Sequence, residues 1–175
     1  MALVVLYKPD QVTGAALQFK GVTHPIRTQG YAGQPYGVAH SFSELLYSAV
    51  DPANKKIGGV DHGGISFQKD LDIDTPFFKE VCMRGLTIPK IDFFFFEVTD
   101  SGAAVEQFYF QITLKRVRVV ESHVNMVNVK LDGQNGRSAP HLEDLRVLFQ
   151  EIEWHSQLPS RRMTQYIIQP ESKKG

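Results

Sequence analysis

The chain has 175 residues, which favours one domain with a sizeable core. Its 19 basic and 19 acidic residues give zero net charge, so the basic field needed for nucleic-acid binding is missing and no nucleic-acid partner is expected. The single cysteine, Cys82, excludes an intramolecular disulfide and metal sites built on paired cysteines.

The N-terminal segment is typical of a strand. Ala2 to Leu6 is a short apolar run with no basic region before it, so we expect no cleaved signal peptide. No apolar run in the sequence approaches the length that crosses a bilayer, and membrane insertion is therefore not expected.

A long segment from Gly30 to Gly64 is rich in glycine and poor in periodic apolar positions, which predicts an extended loop. Within it, Ser41 and Glu44 have the spacing of a capping box, and the pattern predicts a helix from Ser41 to Val50. The helix would carry an apolar stripe, made by Phe42, Leu45, Leu46 and Ala49. That stripe has two possible partners, which are the rest of its own domain and a neighbouring subunit.

The stretch from Gly63 to Gly85 predicts a strand, a corner and a short helix over about 76–84. Thr75 is expected to cap the helix with its hydroxyl, and Pro76 fits the first helical position. Gly85 can adopt the left-handed conformation that ends a helix. The helix is expected to cover a sheet. One face of the helix is apolar and is formed by two pairs, Phe77 with Val81 and Phe78 with Cys82.

The later segments predict strands. Phe93 to Phe96 is apolar at every position, which is typical of a strand that is buried on both faces or that contacts a partner. A long β-rich segment runs from Val105 to Val120, and Leu142 to Trp154 alternates with period 2. Residues 169–175 form a polar tail, and the whole chain, 1–175, is predicted to be a single domain.

No pattern in the sequence indicates an active site, and no enzymatic activity or cofactor is expected. Asp70, Asp72 and Asp74 begin like a calcium loop, but Thr75 and Val81 stand where the loop needs glycine and a bidentate glutamate. No two of the six histidines have the spacing of a metal-ligand pair. A small basic cluster, formed by Lys115, Arg116 and Arg118, is interpreted as a solvated strand face.

The order of these elements resembles the haemolysin-coregulated protein (Hcp) family, which forms the tube of the bacterial type VI secretion system. The resemblance runs from about Leu3 to His155 and is most specific from Gly64 to Asp72, followed by Thr75-Pro76 and the helix. Three further segments carry it, namely Lys8 to Gly14, Phe110 to Val119 and Phe149 to Trp154.

The resemblance implies an antiparallel β-barrel or sandwich with one flanking helix. It implies a homohexameric ring that stacks on other rings into a tube, with sheath, baseplate or spike, and effector proteins as partners. The protein would assemble in the bacterial cytoplasm and then be secreted into the medium or a target cell. Two other functions remain open, a tail-tube protein of a phage-like contractile particle and a small-molecule-binding β-barrel.

The resemblance implies that the loop after the early strands reaches toward the adjacent ring. It also implies that the outer face of the helix points to the lumen or to a neighbouring subunit. The predicted subunit and ring interface therefore consists of Tyr36, Phe42, Leu45, Leu46 and Tyr47 from the loop, with Lys79, Met83 and Arg84 from the helix.

Overall fold

The computed structural model of the chain describes residues 2–23, 31–50, 57–99, 105–126, 141–157 and 160–166. Ten strands and one helix lie within these ranges. In chain order they are β1 (Ala2–Pro9), β2 (Val22–Thr23), β3 (Pro35–Ala39), β4 (Ser41–Val50), β5 (Ile57–Asp70), α1 (Thr75–Arg84), β6 (Thr87–Thr99), β7 (Val105–Met126), β8 (His141–Leu148), β9 (Glu151–Gln157) and β10 (Ser160–Tyr166). The predicted polar tail, residues 169–175, lies outside the described residues.

The strands form an antiparallel sheet in the order β2-β3-β1-β6-β7-β8-β5-β4, and β9 joins it by pairing with both β7 and β10. The sheet is not closed into a barrel, because β2 and β4 are its ends. The prediction of a mainly β, antiparallel fold with one short flanking helix is confirmed.

Strand β7 is the centre of the sheet. One of its edges pairs with β6, and the other pairs first with β9 and then with β8. The partner changes between Lys115, which faces Glu151, and Arg118, which faces Leu148. Between them, Arg116 has a φ of 53°, in the left-handed region. The segment predicted as one strand from Leu142 to Trp154 is therefore two strands that follow the bend of β7.

Two apolar clusters lie on opposite sides of β6. Phe93 is fully buried in the larger cluster, where its ring lies 5.3 Å from that of Phe67. Phe94 and Phe96 belong to a second cluster with Leu6 and Tyr36. The Phe93–Phe96 run is therefore buried on both faces, as one of the two predicted alternatives states. These aromatic rings contact one another and fill the core in the described part of the chain. A filled core does not favour the small-molecule-binding alternative.

The predicted helix from Ser41 to Val50 and the predicted loop from Gly30 to Gly64 are both wrong. Ser41–Val50 is strand β4, β3 precedes it, and β5 starts at Ile57. The capping-box spacing is a local signal, whereas β4 is held by backbone pairing with β5, from Ser41 opposite Gln68 to Val50 opposite Ile57. This pairing overrides a weak local preference. Gly30 and residues 51–56 of the predicted loop lie outside the described residues.

Helix α1 begins and ends near the predicted residues, but its N-cap residue is Asp74, and no side chain caps it. The expectation that the Thr75 hydroxyl caps the helix is therefore wrong. The Asp74 carboxylate is used elsewhere, since it accepts hydrogen bonds from the backbone N–H groups of Lys20 at 2.7 Å and Gly21 at 2.8 Å. Gly85 closes the helix with a φ of 60°, as expected.

A buried ionic network occupies the corner between β5 and α1. The Lys69 ammonium, whose side chain is 0% exposed, lies 3.1 Å from a Glu143 carboxylate oxygen and 2.6 Å from Asp72 Oδ1. It also donates to the Thr75 hydroxyl, and that hydroxyl donates to Glu143 at 2.8 Å. Ser122 supplies a further hydroxyl donor to Glu143 at 2.7 Å. The network joins α1 to β5, β7 and β8.

Tyr7 brings a phenol into the core next to this network. Its side chain is buried, and its hydroxyl has no hydrogen-bond partner among the described residues. Burial, with an added contribution from the charges of Asp72, Asp74, Glu143 and Asp70, raises the pKa of Tyr7 well above its usual value.

We expect Tyr7 to make the folded state sensitive to alkali. Because its pKa is raised on folding, its contribution to stability is complete below the unfolded value of about 10 and is lost as pH rises above it. The loss approaches about 1.4 kcal/mol per pH unit. The check is urea unfolding from pH 8 to pH 11 for the wild type and Tyr7→Phe. The difference between the two curves should change only above pH 10, and parallel curves would contradict the prediction.

Candidate assembly surface

Strands β4 and β5 extend beyond the rest of the sheet. Pairing between β5 and β8 covers only Ile65 to Asp70, whereas β4 and β5 remain paired as far as Val50 and Ile57. Residues 45–50 and 57–62 therefore form a two-stranded extension, here called the arm. Because β4 is the end of the sheet, one edge of the arm is free among the described residues.

The arm presents three large side chains to solvent. The exposed fractions are 56% for Leu45, 48% for Leu46 and 48% for Tyr47. Leu45 lies over Gly63, where an added Cβ would be 2.9 Å from its Cδ2 atom. Adjacent exposed apolar side chains beside a free strand edge are typical of a surface that another polypeptide covers.

The base of the arm is fixed to β9 through Trp154. The Trp154 indole N–H lies 3.1 Å from both carboxylate oxygens of Glu44 and donates to them. The His62 ring stacks on Trp154 with a centroid distance of 6.1 Å and meets Phe149 at 5.5 Å. Sequence reasoning missed these contacts. The sequence feature that could have indicated these contacts is Trp154, the single tryptophan in the chain.

The structure separates the predicted interface residues of the early segment into two sets. Leu45, Leu46 and Tyr47 lie together on the arm. Tyr36 is buried in the second apolar cluster, 5.7 Å from the Phe94 ring, and the half-buried Phe42 packs 5.0 Å from Phe93. Tyr36 and Phe42 therefore contribute to the fold of the chain itself.

The other predicted interface residues lie on α1. Met83 is 81% exposed, the Arg84 guanidinium pairs with Glu80, and Lys79 donates to the Ser122 hydroxyl at 2.8 Å. Glu80 also accepts hydrogen bonds from the backbone N–H groups of Ala16 and Leu17. These two bonds are the main reason that the pKa of Glu80 is lowered.

The described residues contain no group of three or more His, Cys, Asp or Glu side chains that could hold a metal ion. The part of the chain that the structure describes also has no helix with the length and apolar character needed to span a membrane.

Solved structures share this fold. A crystal structure of an Hcp protein has 14% sequence identity and a TM-score of 0.79, covering 97% of this chain and 100% of that one. A mutant of Hcp1 from E. coli EAEC 042 has 19% identity and a TM-score of 0.65, covering 94% and 97%. The secreted protein Hcp3 from Pseudomonas aeruginosa has 13% identity and a TM-score of 0.64, covering 96% and 100%. At these identities the likeness establishes the fold.

The sequence itself establishes the family. No curated protein matches the chain. The family model described as "Type VI secretion system effector, Hcp" matches residues 37–155, which is more than half of the chain and runs from β3 to β9. This chain therefore belongs to the Hcp family, the tube proteins of the type VI secretion system.

Proposed function

We propose that six copies of this chain, each a single domain, form a ring, and that these rings stack into the inner tube of a type VI secretion system with effectors carried in the lumen. The arm is the observation that carries the proposal. It extends beyond the paired part of β8, has an edge that no described strand pairs with, and exposes Leu45, Leu46 and Tyr47.

The arm needs a partner for physical reasons. A two-stranded hairpin is marginally stable in water, and a free apolar edge invites pairing with another chain. Burying one leucine contributes roughly 1.5–3 kcal/mol, which is small for one contact. Six equivalent arms engage together when one symmetric ring meets the next, so their contributions accumulate.

The remaining assembly roles follow the family. The outer face of α1, with Lys79, Met83 and Arg84, is proposed to face the lumen or a neighbouring subunit. The sheath, the baseplate or spike and effector proteins are the proposed partners. Assembly in the bacterial cytoplasm would precede release into the medium or a target cell. The role is structural, with no catalysis.

We expect the double substitution Leu45→Glu and Leu46→Glu to leave the chain folded and to abolish stacking of rings, because six charged arms would repel the adjacent ring. Circular dichroism would follow the fold and light scattering would follow the ring, which should have a mass of roughly 120 kDa for six chains of 19.7 kDa. Negative-stain images would show whether tubes form.

The matched control is Leu71→Glu, which places a charge at a leucine that is 42% exposed outside the arm. It should form tubes as the wild type does. Tubes of normal length from the arm variant would contradict the stacking role. A wild-type chain that stays monomeric at high concentration would contradict the ring itself.

A further inference from the structure

A pocket of about 220 Å³ lies where β7 changes its partner. We call it the arginine pocket. It is lined by Thr87, Arg116, Arg118, Val120, Leu148, Phe149 and Gln150. The two arginines belong to the basic cluster that the sequence led us to interpret as a solvated strand face.

The arginine pocket has positive charge that no lining residue neutralises. None of the lining residues is acidic, and Arg116 makes no ion pair with a described residue. Arg118 donates one hydrogen bond, from Nη2 to the carbonyl oxygen of Gly85 at 3.2 Å. A guanidinium has five N–H donors, so this bond orients the group and leaves others for a ligand. A fork of such donors suits the two oxygens of a carboxylate.

The backbone conformation of Arg116 also distinguishes the arginine pocket. Arg116 is the only non-glycine residue in the described part of the chain with a positive φ, which is 53°. A Cβ atom disfavours that conformation, and glycine adopts it freely. Residues held in such conformations occur often at functional sites. Glycine at position 116 would therefore suit the bend better than arginine, while removing the charge.

The remaining lining residues include both apolar and neutral polar side chains. Val120 is 46% exposed, and Leu148 and Phe149 lie beside it in the lining. Thr87 and Gln150 add neutral hydrogen-bonding groups. An inorganic anion would satisfy the arginines but leave the apolar wall without a partner. A small pocket with both features suits a carboxylate that carries a short apolar group.

We propose that the arginine pocket binds a carboxylate with an apolar flank, either the C-terminal residue of a polypeptide or a small organic acid. The carboxylate lies between Arg116 and Arg118, and its apolar group lies against Val120 and Leu148.

The first test uses hexanoate as the probe, with saturation-transfer NMR on the full chain. Hexanoate should bind, and hexanol and inorganic phosphate should bind at least tenfold more weakly. Arg116→Gly should weaken hexanoate binding about tenfold, as expected for one charge-assisted hydrogen-bonding group. Arg116→Lys keeps the positive charge but loses the fork of N–H donors. Its affinity for hexanoate should lie between those of the wild type and Arg116→Gly.

Weaker hexanoate binding by Arg116→Gly would not result from loss of the fold, because the melting temperature of this variant should equal or exceed that of the wild type. Unchanged hexanoate affinity in Arg116→Gly, or equal binding of hexanol or phosphate, would overturn the proposal.

A second test distinguishes the two sources of the carboxylate. The tripeptide Gly-Gly-Leu with a free C-terminus is compared with its C-terminal amide and with hexanoate. A free peptide that binds at least tenfold more tightly than hexanoate supports a polypeptide ligand, and equal affinities support a small acid. An amide that binds as tightly as the free peptide would overturn the proposal.

Discussion

Replacing Lys69 with methionine is expected to lower the free energy of unfolding by roughly 3–5 kcal/mol, because a buried charge would lose its main partner. Glu143 has a side chain that is 0% exposed, and Lys69 lies 3.1 Å from it. The only other cation near it in the described network, Lys79, is 3.9 Å away and 39% exposed. Urea unfolding followed by circular dichroism would measure the change.

A double-mutant cycle separates the ion pair from its surroundings. The variant with both Lys69→Met and Glu143→Met should recover much of the loss, since an apolar pair can replace a buried ion pair at little cost. The control is Lys90→Met. Lys90 pairs with Asp92 at 2.8 Å and is 39% exposed, whereas Asp92 is 11% exposed and keeps hydrogen bonds from Gln111 and Thr113. Loss of Lys90 should therefore cost about 1 kcal/mol or less. Equal effects at positions 69 and 90 would show that burial does not determine the contribution of the pair.

Replacing Gly37 with alanine is expected to destabilise the fold by about 2–3 kcal/mol through overpacking. An added Cβ at this position would overlap the ring of Tyr7. That ring is fully buried and lies between 5.1 and 6.3 Å from four phenylalanine rings, which leaves it no open direction in which to move. Thermal and urea unfolding of the variant would measure the effect.

The steric origin of this effect can be checked with Tyr7→Leu. This change alone leaves a cavity and should also destabilise the fold. Combined with Gly37→Ala, it should cost less than the sum of the two single changes, because the smaller side chain makes room for the methyl group. Strictly additive effects would mean that the two positions do not compete for the same space.

The elements that local chemistry determines could be predicted from the sequence. Pro76 and Gly85 mark the helix ends within the chain segment itself, and α1 follows them. The all-apolar Phe93–Phe96 run likewise carries its own evidence of burial on both faces. Strand β4 could not be predicted in this way, because its pairing partner β5 lies further along the chain and the nearer signal, from Ser41 to Glu44, imitates a helix start.

The same limit applies to the candidate surface. A helix would have placed Phe42, Leu45 and Leu46 on one stripe, whereas the strand turns Phe42 inward and leaves the leucines exposed. Alternation in the sequence places Lys69 on the same face of its strand as Ile65 and Phe67, but no periodicity indicates that Glu143 is its partner. Such a pairing depends on strand register, which is set by contacts between distant segments.

The place of β7 in the sheet has a consequence during synthesis of the chain. Strand β6 precedes β7 and can pair with it at once, but β8 and β9, which cover its other edge, are made later. Until residues 141–157 leave the ribosome, the second edge of β7 presents unpaired backbone N–H and C=O groups. Such an edge is a template for pairing between nascent chains. Translation that stalls in this interval would therefore leave a species prone to aggregation.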